Sequence, residues 1–267
     1  MDDISYENFK LLYPKITALD CNFPPEIQIT THTLIYKFPL IFYTKYIAEH
    51  IPLDPDFVNI IKYGNSTRNF RSLVHCNKKK SITANTKKKS KTRKNFYFQT
   101  TLVITHNNTT INVKLFRNGT IQVTGSKNLS FVFWCVYKIL SLFFNEKENN
   151  YATPFYNCTL TNIIEFKVVM INCVFNIEYE INKNNTYSLL NDIVNSGKYP
   201  EFVSCNYDPL RHSGIIMKYK TKNSLLSLIL FEKGSIIMSG AICYSDIIKT
   251  YKFISLILLD NYLQCKK

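Results

Sequence analysis

The chain has 267 residues, 46% of them apolar and 14% aromatic, with 33 Lys and Arg against 19 Asp and Glu for a net charge of +14. That is enough chain and apolar surface for one large domain or two small ones with a substantial core, and a chain this basic is expected to meet a polyanion, either nucleic acid or an anionic membrane. The eight cysteines (Cys21, Cys76, Cys135, Cys158, Cys173, Cys205, Cys243, Cys265) form no CxxC pair and no Cys/His array at zinc spacing, so no metal centre is expected and the thiols read as free.

In chain order, the start MDDISYENFK is acidic and polar and does not read as a signal peptide, and residues 1–25 are set apart as an N-terminal extension. A strand is predicted over 26–38 (EIQITTHTLIYKF), a helix near 39–50 and a strand over 57–64 (FVNIIKYG). Residues 77–95 then hold nine cations and no acid: Lys78, Lys79, Lys80, Lys87, Lys88, Lys89, Lys91, Arg93 and Lys94. Such a block repels itself and is expected to be a mobile insertion, 77–94, that draws phosphates by counterion release without sequence choice. A nuclear-targeting role is its rival. A strand over 95–105 follows, then a hairpin, TINVKLF–RNG–TIQVTG, and a helix from about Asn128 to Phe144. Within that helix the longest apolar run (131–144) is 14 residues and contains Lys138, too short to span a bilayer. NEKENN (145–150) reads as a loop.

The second half repeats the plan. A long strand or strand pair is expected over 163–181, a helix over 185–197, strands over 201–207 and 214–220, a hairpin LLSLILF–EKG–SIIMSG, and a helix from about Ser245 to Gln264. VKLFRNGTIQVTGSKN (113–128) and LILFEKGSIIMSGAIC (228–243) superimpose at an offset of 115, matching Phe116 to Phe231, Gly119 to Gly234 and Gly125 to Gly240. Four of only seven glycines fall at matched places, so the hairpin is read as a duplication. Ile111, Val113 and Leu115 share the core face of their strand, and Phe116 lies opposite them beside Lys114 and Asn112. An aromatic ring on the polar face is either a packing residue at the fringe or a binding residue, and two at equivalent places leave both readings open.

YDPLRHSGIIMKY followed by LILFEKGSIIMSGA resembles the second repeat of TATA-binding protein. IIEFKVVMINCVF and INVKLFRNGTIQVTG resemble the divergent members of nucleocytoplasmic large DNA viruses. The likeness covers 163–265 in the second repeat, 95–145 well and 26–65 weakly in the first. It implies an α+β fold, a pseudo-twofold duplicated saddle: a continuous curved antiparallel sheet with helices on the convex face. The first repeat would span 26–150 and the second 151–267. It further implies that the concave sheet lies in a minor groove, with rings wedged between base steps. Phe116 and Phe231 match the hairpin wedges; the other first-repeat wedge is Phe98 or Phe96. The corresponding second-repeat position is His212 before Ser213–Gly214, where the family has Phe before Pro-Gly. Gln122 and Thr124, with Ile237 and Ser239, match groove-facing positions, in a register that a one-residue slip would reverse. Lys114 stands where the family prefers an aliphatic residue, with Ile229 as counterpart. The family's groove-reading asparagine aligns with Met170, while Asn172 lies two residues on and so on the same face. Of two acids that the family offers to a B-type initiation factor, Asp208 is kept and Leu210 replaces the other.

The resemblance therefore implies a protein of viral transcription initiation. Its partners would be double-stranded DNA through an AT-rich minor groove, a B-type initiation factor and RNA polymerase. A non-sequence-specific nucleic-acid module in replication, repair or packaging is the alternative, because the fold alone does not choose. No paired carboxylates in strand context, no Gly-rich phosphate loop and no nucleophile motif is present in the sequence, so neither an enzyme, a cofactor nor a small-molecule substrate is expected. An intracellular location is expected, in a host cytoplasmic viral factory or the nucleus, with no membrane partner.

Overall fold

The computed structural model describes residues 23–70, 98–145, 151–154 and 165–267. The basic block at 77–94, Phe96, most of the extension 1–25, residues 146–150 and Cys21, Cys76 and Cys158 lie outside the described residues. The described residues divide into two compact units, one within Leu34–Lys167 and one holding residues 23–33 together with Val168–Lys267.

The first unit contains the end of strand β1 (Gln28–Lys37), then β2 (Leu40–Phe42), helix α1 (Thr44–His50), β3 (Val58–Tyr63), β4 (Ser66–Asn69), β5 (Gln99–His106), β6 (Thr109–Phe116), β7 (Thr120–Ser126), α2 (Leu129–Asn145) and β8 (Ala152–Pro154). Its antiparallel strands run in the order β4-β3-β5-β6-β7. The strands form because apolar residues recur at every second position: Ile111, Val113 and Leu115 of β6 and Ile121 and Val123 of β7 are buried while their alternates stay half-open. Their partners are the apolar stripe of α2, in which Val132, Val136, Ile139, Leu140 and Phe143 are buried. Each such side chain contributes about 1.5–3 kcal/mol relative to exposure.

The second unit contains most of β9 (Glu165–Asn176), α3 (Lys183–Asn195), β10 (Phe202–Asn206), β11 (Ile215–Lys220), β12 (Leu225–Leu230), β13 (Ser235–Ala241), α4 (Tyr244–Asp260) and α5 (Tyr262–Cys265), with strand order β10-β11-β12-β13-β9. Met217, Leu226, Leu228, Leu230, Ile236 and Met238 line the core against Ile247, Ile254 and Leu258 of α4 and Leu190 of α3. Helix α3 starts where the Asn182 side chain accepts the Asn185 N–H at 3.1 Å, satisfying one orphan donor of its first turn. In the first turn of α4, Asp246 is buried and held by the Ser224 hydroxyl (2.9 Å) and the Asn223 amide (3.3 Å).

The two hairpins are anchored alike. Gly119 N–H donates to the Phe116 carbonyl at 3.0 Å and Gly234 N–H to the Phe231 carbonyl at 2.9 Å, with φ of +83° and +78°. Each glycine then accepts at its own carbonyl, from Phe38 N–H at 3.0 Å and from Ile177 N–H at 3.1 Å. A Cβ at Gly119 would lie 2.3 Å from the Phe38 carbonyl oxygen, and one at Gly234 2.5 Å from that of Tyr179. Glycine is required at both for conformation and for space.

Three expectations are corrected. The helix near 39–50 begins only at Thr44, because Leu40–Phe42 pair with Ala152–Pro154 as β2 and β8. That pairing and the stacking of Tyr151 on Phe143 (5.3 Å) hold 151–154 in the first unit rather than at the head of the second. The boundaries also do not fall at 25/26 and 150/151: Ile27 is buried in the second unit's core, so the start of β1 belongs there. Strand β4 is additional to the predicted elements, since STRN has no apolar alternation and is placed by its pairing with β3.

Candidate nucleic-acid interface

In both units one sheet face is packed under helices and the other carries half-buried alternates on the hairpin strands, whereas on β5 the alternates Thr101 and Val103 are buried as well. Phe116 is one of these alternates, in line with Asn112 and Lys114 and opposite in sense to the buried Leu115. Phe98, 69% exposed, stands beside it, and the two rings line a shallow hollow with Ile41, Arg117 and Asn118. The Arg117 N–H donates to the Phe98 carbonyl at 3.0 Å, fixing the backbone between the rings.

The second unit also sets a ring near its hairpin phenylalanine, but one residue earlier, since the register gives Phe98's place to Ser213. Phe231 follows the buried Leu230 and is half-buried, and the His212 ring lies 6.1 Å from it at 40°. The Gly214 N–H donates to His212 Nδ1 at 3.1 Å, which makes that nitrogen an acceptor and orients the imidazole. A Cβ at Gly214 would come within 2.7 Å of Ile229 Cγ2 and 3.3 Å of Phe231 Cδ1, so the backbone there leaves the ring its room.

The register resolves which side chains share the open face. In the first unit Lys114 stands opposite both Thr101 and Gln122, and Asn112 opposite Val103 and Thr124. In the second, Ile229 stands opposite Ile216 and Ile237, with Val174 next to Ile237, while Ser227 stands opposite Lys218 and Ser239. The hairpin register is therefore unslipped: Gln122, Thr124, Ile237 and Ser239 lie on the same face as Phe116 and Phe231. Lys218 reaches Ser227 through its ammonium.

Asn172 and Met170 are both half-buried, but spacing by two does not tie them together. Ile171, Cys173 and Phe175 point into the core, whereas upstream the partly buried Phe166 meets Tyr36 (5.0 Å) and Val168 packs on the second core. Two residues, 169 and 170, therefore intervene between inward-facing neighbours, and the alternation changes phase. The Asn172 amide nitrogen donates to Thr31 Oγ1 at 3.0 Å, and its Oδ1 is buried without a partner.

Asp208 and Leu210 lie in the loop after β10. Asp208 accepts the Leu210 N–H at 3.0 Å and pairs with Arg211 at 3.3 Å, an exposed contact of little energetic weight. Leu210 is 96% exposed. Beside Phe231, Glu232 is held below the usual carboxylate range by hydrogen bonds from Lys267 and then Lys183, and Lys183 is raised by Glu232 and by Tyr207. The five described cysteines are unpaired; burial pushes the Cys173 and Cys205 thiols up to about 12. Sequence reasoning missed Thr101, Ile216, Val174 and Thr31, because only cross-strand register brings them to the marked residues.

Two α+β units, each with an antiparallel sheet, a matching hairpin and helices against one face, define the fold class of TATA-binding protein. TBP of Methanococcus jannaschii matches this structure with a TM-score of 0.54 at 15% identity, over 88% of this chain and 99% of that one. In sequence, the "TATA-box-binding protein-like" protein of Acanthamoeba polyphaga mimivirus is 29% identical over 252 residues, 90% of this chain and 67% of the relative. No family model matches. The chain is thus TATA-binding-protein-like in fold and in sequence, as the resemblance implied. Among the described residues no helix is long and apolar enough to cross a membrane.

Proposed function

We propose that this chain binds the minor groove of AT-rich double-stranded DNA and bends it, in initiation of viral transcription. The observation that carries the reading is a pair of rings in each unit, Phe98 with Phe116 and His212 with Phe231, of which Phe116 and Phe231 hold equivalent hairpin positions. Apolar rings inserted between base steps unstack them and kink the duplex, and the added contact area repays the unstacking. Gln122, Thr124, Ile237 and Ser239 would face the groove floor, with Met170, Asn172 and Ile229 beside them. The names of the viral relative and the archaeal neighbour support the same reading. Asp208 and Leu210 would meet a B-type initiation factor, and RNA polymerase would follow. This is a binding role and not an enzymatic one, exerted in a cytoplasmic viral factory or the nucleus.

The test is end-to-end energy transfer on a doubly labelled AT-rich duplex at physiological salt. The chain is expected to shorten the end-to-end distance, and Phe116→Ala with Phe231→Ala to abolish the shortening more than the affinity. A straight complex, or no complex, defeats the proposal.

A second reading is favoured by one observation. Lysines stand on both open faces, Lys114 and Lys218, and with the basic block they favour phosphates of any sequence. A non-sequence-specific module in replication, repair or packaging predicts a genomic footprint spread evenly rather than gathered at promoters.

A further inference from the structure

Corresponding rungs of the two open faces have opposite chemistry. In the first unit the rung below Phe116 reads Thr101–Lys114–Gln122 across three strands. In the second the equivalent rung reads Ile216–Ile229–Ile237 and continues into Val174 of β9. None of the latter four side chains has a donor or an acceptor, and Ile237 is 39% exposed, so this is a dry strip at the surface. The flanking rung is polar at two of three places in the first unit, Val103–Asn112–Thr124, and at all three in the second, Lys218–Ser227–Ser239, so neither unit is apolar across it. The second unit's cation, Lys218, belongs to that flanking rung and is engaged by Ser227.

We propose that the two units read the two halves of a directional DNA site differently: the second admits only A·T pairs at its apolar rung, and the first tolerates G·C through Lys114 and Gln122. The inference rests on the minor-groove reading above. A·T and T·A pairs present only acceptors in the minor groove, and a G·C pair adds the guanine N2 amino donor at the groove centre. Against four aliphatic side chains that amino group loses its water and gains no acceptor. A single G·C pair there weakens binding at least about tenfold, the usual scale for one misread pair. Against the first rung the same group finds the Gln122 side-chain carbonyl, which accepts N2–H, while the Lys114 ammonium donates to the N3 and O2 acceptors that every pair carries. The expected loss there is under about threefold. A duplicated fold thereby acquires a fixed orientation on DNA.

Inosine separates the terms, because an I·C pair keeps guanine's major-groove face but lacks the N2 amino group. The wild-type chain is measured on one AT-rich duplex in which each position in turn carries A·T, G·C or I·C, with affinity and bending both read. The expected result is a block of positions in one half where G·C weakens binding tenfold or more and I·C restores it, and no such block in the other half. The double variant Lys114→Ile/Gln122→Ile is expected to create a second block, which also identifies the half under the first unit. Ile229→Lys/Ile237→Gln is expected to remove the original block. Bending with equal G·C sensitivity in both halves, or blocks that neither variant moves, overturns this inference and leaves the minor-groove reading intact. G·C and I·C behaving alike at every position, or no bending at all, overturns both. The wild-type inosine series stands without the variants should either fail to fold.

Discussion

Leu115 and Phe116 are neighbours on β6, and the structure gives them opposite duties. Leu115 is fully buried between Thr100 and Ile121 on the adjacent strands. Truncating it to Ala removes buried methyl groups and leaves a cavity, a cost of about 2–5 kcal/mol. Phe116 is half-buried over an open hollow, so Phe116→Ala forfeits only part of a burial worth about 1.5–3 kcal/mol, which comes to about 1 kcal/mol. The two effects on DNA run the other way, since a wedge ring is used only when the duplex bends around it. Trp134, the chain's one tryptophan, sits on α2 of the same unit, so its fluorescence in urea reports the first unit by itself. The midpoint is expected to fall much further for Leu115→Ala than for Phe116→Ala at similar slope. Bending by the folded proteins is expected to be lost in Phe116→Ala and retained in Leu115→Ala. Equal or greater destabilisation by Phe116→Ala, or unchanged bending, would show that the ring belongs to the core and refute the face assignment.

Gly119→Ala and Gly234→Ala each force a side chain onto a positive-φ backbone and into a carbonyl oxygen under 3 Å away; a loss of at least about 3 kcal/mol is expected for either, read by urea unfolding. Glu232, lowered by Lys267 and Lys183, contributes stability that is complete above its ordinary value of 4.5 and lost as the pH falls through its folded value. Glu232→Gln is therefore expected to flatten that part of the acid limb in a pH series of unfolding midpoints, with wild type and variant converging at the acid end. Replacing the nine cations of 78–94 by Gln is expected to reduce the slope of log affinity against log salt by about 0.9 for each phosphate no longer neutralised, with bending angle unchanged.

What the sequence made legible is local. The hairpins could be read because their glycines are rare in this chain and each serves a turn geometry that few other residues adopt. The faces of β6 and β13 could be read because alternation with period two is a property of the strand itself. Features set by distant partners could not. Strand β4 has no pattern of its own, and β2 and β8 are three-residue strands that exist only through each other across more than a hundred positions. The phase change in β9 escaped period-two reasoning because nothing in VVMIN marks where the alternation shifts. The same applies to the candidate site: its rings were found residue by residue, but the rungs that distinguish the units required cross-strand register.

Asn172 shows how a residue kept for a ligand is told from one kept for the fold. Its amide donates one hydrogen bond, to Thr31, of about 0.5–1.5 kcal/mol. Its Oδ1 is buried with no partner, a cost of about 1–3 kcal/mol. The cost is the larger of the two, so the side chain adds nothing to stability, and the half-buried Thr31 hydroxyl can turn to water when the amide is removed. Val is of similar reach, is favoured in strands, and already stands two residues on at Val174. Asn172→Val is therefore expected to leave unfolding free energy unchanged or raise it by up to about 1 kcal/mol, while weakening DNA binding on the open face. A loss of more than about 2 kcal/mol with DNA affinity intact would place Asn172 among the structural residues, since a buried polar group that stabilises must be better satisfied than this one is.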